Sequence, residues 1–301
     1  MTNADTASLP PQPPLPLREP WRPDSLLSVA RNPQLVWLFV QSELGNPYQG
    51  TLLGKAWDYV RPLMRFFVYF VVIGLVLGLQ KSVPNFGIYV FSGVATVQTF
   101  NGAVTKATRS LSKNSTLIRR VNVPIEALPI ASVIASTVRE KAALLILVIA
   151  SVMTGWRPNH LIYVPYCIGG IVLLLVFASG LGMITAVAAM YVKDTQYAVQ
   201  TLTMLVRWAS PVIYPWMLVK AILPPWLTTV YLSNPVTVAL FGVRETFWVP
   251  TVGAAAVAEK MEPLPTLPII LSIVITIGTL LIGQWLMRRT QHRVASRVKW
   301  S

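Results

Sequence analysis

From Leu264 to Met287 the chain carries no charged side chain, and Arg288 and Arg289 follow at once. A helix needs about 20 mainly apolar residues to cross the hydrocarbon of a bilayer, so this run reads as a membrane span. A second uncharged stretch, Pro158 to Val192, is longer still. At about 1.5 Å of rise per residue it overshoots a bare crossing and implies one tilted or overlong helix. Apolar residues make up 54% of the chain and charged ones only 12%, with a mean hydropathy of +0.57, a balance that an ordinary soluble domain would not expose to water. The formal charge of +14 does not point to nucleic acid, because the Lys and Arg residues flank apolar runs instead of gathering on a soluble folded face.

The rest of the chain falls into place around these two runs. Residues 1–24 are rich in proline, including Pro10, Pro11, Pro13, Pro14 and Pro16, which prevents helix and predicts a disordered cytoplasmic tail. Over residues 25–60 apolar and polar residues mix at helical spacing, as expected of an amphipathic helix lying in the membrane interface. Further spans are predicted at Pro62 to Leu79, Phe86 to Lys106, Glu126 to Thr154 and Gln196 to Tyr214, making six in all. Residues 61–290 then form the six-span domain, and 291–301 a basic cytoplasmic tail. Between spans five and six, Trp216 to Pro263 is too apolar for a plain loop. Pro224, Pro225 and the Asn234-Pro235 pair cut it into short pieces, predicting external re-entrant helices; two additional spans are the alternative. The expected fold is therefore an all-α integral membrane protein.

Short cytoplasmic loops accumulate Lys and Arg. With both ends inside, most of the 25 cationic residues fall on the cytoplasmic side, whereas Lys81, Arg157, Lys220, Arg244 and Lys260 fall in outer loops. Arg139, Lys141 and Arg207 remain within helices. Charges inside a bilayer are costly and tend to face a partner or a cavity. Counted along their helices, Glu140 and Arg207 come to similar depth, so they are candidates to pair between the third and fifth spans, with Arg139 or Lys141 facing a polar cavity or a second subunit. The alternative is that the long third helix protrudes and its cations snorkel to the interface.

No catalytic engine is visible. The one Gly-Lys pair, Gly54-Lys55, is followed by Ala56 and lacks the earlier glycine of a phosphate-binding loop. His160 and His292 stand far apart, no metal-ligand cluster is present, and Cys167 is the single cysteine, which excludes a disulfide within the chain. The N-terminus lacks the pattern of a cleaved signal peptide. The chain is expected not to be an enzyme and to hold no cofactor of its own. Aromatic residues recur around the first and fifth spans, at Phe66, Phe67, Tyr69 and Phe70 and at Trp208, Tyr214 and Trp216. They suit an interfacial belt and would equally suit a conduit for sugar rings.

Three stretches carry a resemblance. YQGTLLGKAWDYVRPL holds Tyr48, Leu53, Gly54, Trp57 and Pro62. LSKNSTLIRRVNVPIEALPIASVIAS holds Asn114, Leu117, Ile118, Pro124, Glu126 and Pro129. YVKDTQYAVQ, SPVIYP and SNPVT supply Asp194, Ser210, Pro211, Tyr214, Pro215, Asn234 and Pro235. Together they resemble the polysaccharide and polyol-phosphate export permeases of type II ABC transporters, which include O-antigen, teichoic acid and cell-wall galactan exporters. One departure is the stretch SELGNPY, which keeps Glu43 but lacks the basic residues usual before the entry tyrosine.

The resemblance implies a homodimer of permeases in the bacterial inner membrane, joined to two copies of an ATPase subunit that carry the ATP and Mg. A short coupling helix would lie within Arg109 to Arg120, with Arg109, Lys113, Asn114, Leu117, Arg119 and Arg120 facing the ATPase. The implied substrate is a glycan on a polyprenyl diphosphate, met by Arg61 and Arg65 and passed between the first and fifth helices, where Phe66, Tyr69, Trp208, Tyr214 and Trp216 would line the channel or gate. The Arg-rich composition and the proline tail favour a galactan carrier. An exporter of drugs or small lipids is the nearest alternative, and a membrane-embedded enzyme or scaffold a more distant one.

Overall fold

The computed structural model describes residues 29, 31–45, 52–76, 78–81, 83–120, 124–252 and 264–297. The proline-rich stretch 1–24, the end of the segment before the last predicted span (253–263) and residues 298–301 lie outside the described residues. Every regular element among the described residues is helical.

Helix α1 spans Pro33–Leu44, with proline in its first turn, where the missing N–H is no loss. Within 25–60 this is the one long helix described; the next begins at Trp57, after a 3₁₀ turn at Gly54–Ala56. Helix α2, Trp57–Val68, continues as a π-helical stretch over Tyr69–Val76, an irregularity often found where a helix serves a function. Helix α3, Phe86–Lys113, is the central post: one side chain after another from Phe86 to Leu111 is buried. Helix α4 is the short Ser115–Arg120.

The third predicted span is divided into α5, Ala127–Arg139, and α6, Lys141–Met153, with Glu140 between them. Three consecutive ionisable side chains point about 100° apart around a helix and cannot all reach polar surroundings from one face. Helix α7, Val164–Tyr191, is extended backwards by a 3₁₀ turn over Pro158–Tyr163, so the expected overlong helix is present. Helix α8, Thr195–Val206, stops short of the expected end at Tyr214, and Arg207 to Tyr214 are turns. Pro211 explains the early stop, since it donates no backbone hydrogen bond and disfavours helix at Ser210. Helices α9 (Trp216–Ile222), α10 (Pro225–Leu232) and α11 (Pro235–Phe247) follow, and a 74° bend separates α10 from α11. Helix α12 runs Thr266–Arg297, past the predicted end at Met287.

Three helical segments are long and apolar enough to cross a membrane, Gly54–Val76, His160–Tyr191 and Thr266–Thr290; the bent pair α10–α11 would make a fourth if it acted as one span. Helix α3 has the length, with 28 residues, but carries Ser92, Thr96, Gln98, Thr99 and Asn101 at its middle. Those polar groups are tolerable because α5, α7, α8 and α11 pack around it.

Two crossings are made by glycine, which lets backbones meet where side chains would hold them apart. At the α7–α12 crossing a Cβ on Gly283 would lie 2.6 Å from the Gly180 carbonyl oxygen, and one on Gly180 would lie 2.7 Å from the Leu280 nitrogen. At the α7–α11 crossing a Cβ on Gly242 would collide with the Tyr166 carbonyl oxygen. Replacing Gly180 or Gly283 by Val should therefore lower the thermal stability of the detergent-solubilised protein by about 1–3 kcal/mol, the usual cost of overpacking. Gly278, which has nothing within 4 Å of its Cβ position, should accept Ala with no loss. Equal midpoints for Gly180→Val and wild type would show that the α7–α12 crossing is not set by these glycines.

Candidate functional site: a polar seam between α2 and the turn after α8

The seam begins on α2. Arg61, Arg65 and Tyr69 follow one another at four-residue spacing and so share one face. Arg61 is exposed at the start, its guanidinium 5.8 Å from the Trp57 ring. One turn on, Arg65 Nη1 lies 3.9 Å from Glu140 Oε2 at the break between α5 and α6, with both side chains about a quarter to a third exposed. Another turn on, Tyr69 opens the π-helical stretch, and its hydroxyl accepts a hydrogen bond from Arg207 Nη1 at 3.2 Å. Arg207 Nη2 donates to Gln98 Oε1 on α3, also at 3.2 Å.

This arrangement corrects the expected Glu140–Arg207 pair: Glu140 faces Arg65, and Arg207 is held by two neutral acceptors. Similar depth along two helices says nothing of the direction each side chain takes around its axis. Of the two cations offered for a cavity, Arg139 takes another role. It neither faces a cavity nor snorkels freely; its Nη2 donates to the carbonyl oxygens of Glu43 and Gly45 and so caps the C-terminus of α1, where a cation is favoured by the helix dipole. Lys141 and Glu140 border a cavity of about 170 Å³ between α3, α5, α6, α7 and α11, whose other polar lining is Thr96, Thr99 and Thr137.

Beyond Arg207 the seam passes into the turn that ends at Pro215. Helix geometry is lost here, so the carbonyl groups need other donors. Tyr214 Oη donates to the Trp208 carbonyl at 2.9 Å and lies 3.0 Å from Tyr231 Oη. Tyr89 Oη donates to the Tyr214 carbonyl at 2.9 Å. Arg244 Nη2 donates to the Val212 carbonyl at 2.6 Å and its Nε to the Tyr89 carbonyl at 3.3 Å. The Ser210 hydroxyl accepts from Thr237 and Asn234, at 3.2 and 3.4 Å. Asn234 in turn caps α11 by accepting from the Val236 N–H.

Arg244 departs furthest from expectation. Assigned by the charge pattern to an outer loop, it is 1% exposed, with its guanidinium 3.6 Å from the centre of the Tyr89 ring. The signal available in the sequence was its position at the end of the uncharged run from Ala221 to Val243. Tyr89 and Gln98 gave no such signal.

The remaining predicted residues are distributed as follows. Phe66 turns inward, stacked on Phe70 and edge-on to Phe91. Trp208 is exposed, whereas Trp216 is buried at 1%, which removes its ring from any surface that a passing sugar could touch. Lys113, at the end of α3, donates to both carboxylate oxygens of Glu43 at 2.9 Å. Asn114 caps α3 through the Ser110 carbonyl, and Leu117 packs into a cluster with Leu111, Leu128 and Met287. Arg109 is exposed, and Arg119 and Arg120 end the short helix α4. The coupling candidates thus divide into Asn114 and Leu117, which fix α4 to the bundle, and Arg109, which faces outward.

Hydrogen bonds to a charged donor contribute about 1.5–3 kcal/mol each. Arg244→Met should therefore destabilise the solubilised protein by about 3 kcal/mol, and Arg244→Lys should recover only part of that because an ammonium cannot span two carbonyls as a planar fork does. Wild-type stability in Arg244→Met would show that the turn is held by other groups. A double-mutant cycle between Arg65 and Glu140 should give a coupling of about 0.2–1 kcal/mol, as expected of a partly exposed pair. The same cycle between Arg207 and Glu140 should give none.

The family model described as ABC-2 type transporter matches residues 33–248, which takes in α1 through α11. Over 177 residues the chain is 28% identical to the O-antigen export system permease protein RfbA of Myxococcus xanthus, covering 58% of this chain and 66% of that protein. Over 217 residues it is 21% identical to a protein of the same name from Klebsiella pneumoniae, covering 71% of this chain and 80% of the relative. The match to the family model extends over well more than half of the sequence and agrees with the apolar helical segments, so this chain belongs to the ABC-2 type transporter family and is an integral membrane protein.

Proposed function

We propose that this chain is the permease subunit of an ATP-driven exporter that carries a polyprenyl-diphosphate-linked polysaccharide of the O-antigen kind across the bacterial inner membrane. The observation that carries the reading is the seam itself. Arginines and hydroxyls succeed one another from the start of α2 to the turn before Pro215, in a chain whose relatives are named as O-antigen export permeases. Polar groups in an apolar span are expensive and mark a route for polar cargo.

In this reading the six spans are α2 with its π-helical extension, α3, α5–α6, α7, α8 with the following turn, and α12. Helices α9 to α11 re-enter from the outer side, α1 lies in the cytoplasmic interface, and both chain ends are cytoplasmic. Two copies of the permease work with two ATPase subunits, which bind ATP and Mg. Residues 109–120 receive the ATPase, with Arg109 outward and Lys113 tied to Glu43. Arg61 and Arg65 meet the diphosphate at the inner leaflet. The galactan alternative gains no support from the relatives' names, which favour an O-antigen-type polymer.

Repressing the gene should cause lipid-linked glycan to accumulate several-fold on the cytoplasmic leaflet while surface polysaccharide falls, measured by extraction of carrier lipids and by surface labelling. Unchanged pools of both, with loss of drug or small-lipid efflux instead, would overturn the polysaccharide assignment. Lys113→Glu should uncouple export from ATP hydrolysis through repulsion of Glu43, and Glu43→Lys introduced with it should restore coupling if the pair alone matters.

A further inference from the structure

Arg207 and Arg244 are both held without an acidic partner among the described residues, but they are held differently. Arg244 is enclosed and bonds to the backbone carbonyls of Tyr89 and Val212. Arg207 is half-buried, and its two acceptors are the side chains of Tyr69 and Gln98, both at 3.2 Å and both neutral. Neither ion pair among the described residues includes it; Glu140 faces Arg65 and Glu43 faces Lys113. A guanidinium has five N–H donors, and these two bonds leave others available. Next to it, Trp208 is 66% exposed, so this part of the seam opens to one side.

A cation whose charge is left uncompensated within a span is costly. By helical rise it stands about 18 Å from the start of α8, and Tyr69 stands about 12 Å along α2 from Arg61. Both distances put the group well beyond the inner headgroups and above the two arginines of the entrance. A planar guanidinium matches the geometry of a phosphate, which it can bind through two parallel N–H bonds. Neutral side-chain acceptors at 3.2 Å can give way to such an anion, as an aspartate or glutamate partner would not.

We propose that Arg207, positioned by Tyr69 and Gln98, is an intramembrane anion site that receives the phosphate or diphosphate group of the lipid-linked substrate after it leaves Arg61 and Arg65. The site rests on the export reading above. It gives the seam a second station for negative charge, and the exposed face of Trp208 beside it offers an apolar surface to the attached sugar or prenyl chain.

The test uses the full chain in nanodiscs of phosphatidylcholine, titrated with farnesyl diphosphate, with farnesol as the uncharged control. Arg207→Gln should weaken farnesyl diphosphate binding by about tenfold or more, a loss on the scale of one charge-assisted hydrogen bond. Arg207→Lys should stay within about threefold, since it keeps the charge but not the fork. Gln98→Glu is the decisive companion if Arg207→Gln fails to yield folded protein. It leaves the arginine in place and supplies a carboxylate where the Gln98 amide oxygen now lies, so it should weaken binding to the same extent while preserving the fold. Farnesol should bind all four proteins alike.

Farnesyl diphosphate affinity unchanged in both Arg207→Gln and Gln98→Glu would overturn the site. Displacement of the probe by inorganic diphosphate would support an anion site that reads the phosphate group itself. Displacement by a few mole per cent of phosphatidylglycerol would overturn the substrate assignment in favour of bulk lipid headgroups. In cells, normal export by Arg207→Gln would sink this inference alone, whereas normal export in the absence of the chain would sink the export reading with it.

Discussion

Backbone polar groups inside a bilayer have no water to bond to, and every one that leaves a helix must find a donor or acceptor in the protein. In this chain the same requirement, which holds for any buried backbone, is sharpest between Arg207 and Pro215, where Pro211 ends helical geometry. Three side chains from three different elements meet it. Tyr89 comes from α3, Tyr214 from the turn itself and Arg244 from α11, and they supply the carbonyls of Tyr214, Trp208 and Val212 respectively. Thr237 and Asn234 add bonds to the Ser210 hydroxyl. The position of α9 to α11 relative to the bundle follows from this one repair, because α11 must lie where its arginine can reach the turn.

The same requirement explains why a buried, acid-free arginine is stable there. Its charge is met by carbonyl dipoles and by the face of the Tyr89 ring, whose edge-on contact with Trp248 and the Trp248 bond to the Pro84 carbonyl hold the ring in place. Removing the Arg244 or the Trp248 donor would take this bond from the Val212 or the Pro84 carbonyl, so the cluster rigidifies this end of the molecule. Motion during transport is more easily accommodated elsewhere, at the π-helical stretch of α2 and at the break around Glu140, where the helical ladder is already irregular.

On the other side, charges do a different job. Arg139 caps α1 and Lys113 grips Glu43, so α1 is tied to both the end of α3 and the end of α5. Displacement of the segment after α3 would therefore be felt by α1 directly. Taken with the seam, the ionisable groups separate into those that bond backbone carbonyls, Arg244 and Arg139, and those on the seam that meet other side chains, Arg61, Arg65 and Arg207.

What the sequence determined by itself is the membrane character, the approximate place of the apolar helices and the lack of a nucleotide-binding loop. Lipid imposes length and hydrophobicity on each span, and both are one-dimensional properties that a string of residues displays openly. The proline-rich corners after Tyr214 were legible for the same reason, since proline acts on its own backbone. Which charge meets which was decided only by the tertiary structure. Rise along a helix brings Glu140 and Arg207 to one depth, but whether they touch depends on rotation about each axis and on how α2 and α3 are inserted between them; Arg65, Tyr69 and Gln98 take the places that depth alone would have given to a direct pair. Arg244 carries the same lesson. Its letter reads as a surface cation, and only the fold brings to it the carbonyls that make burial affordable.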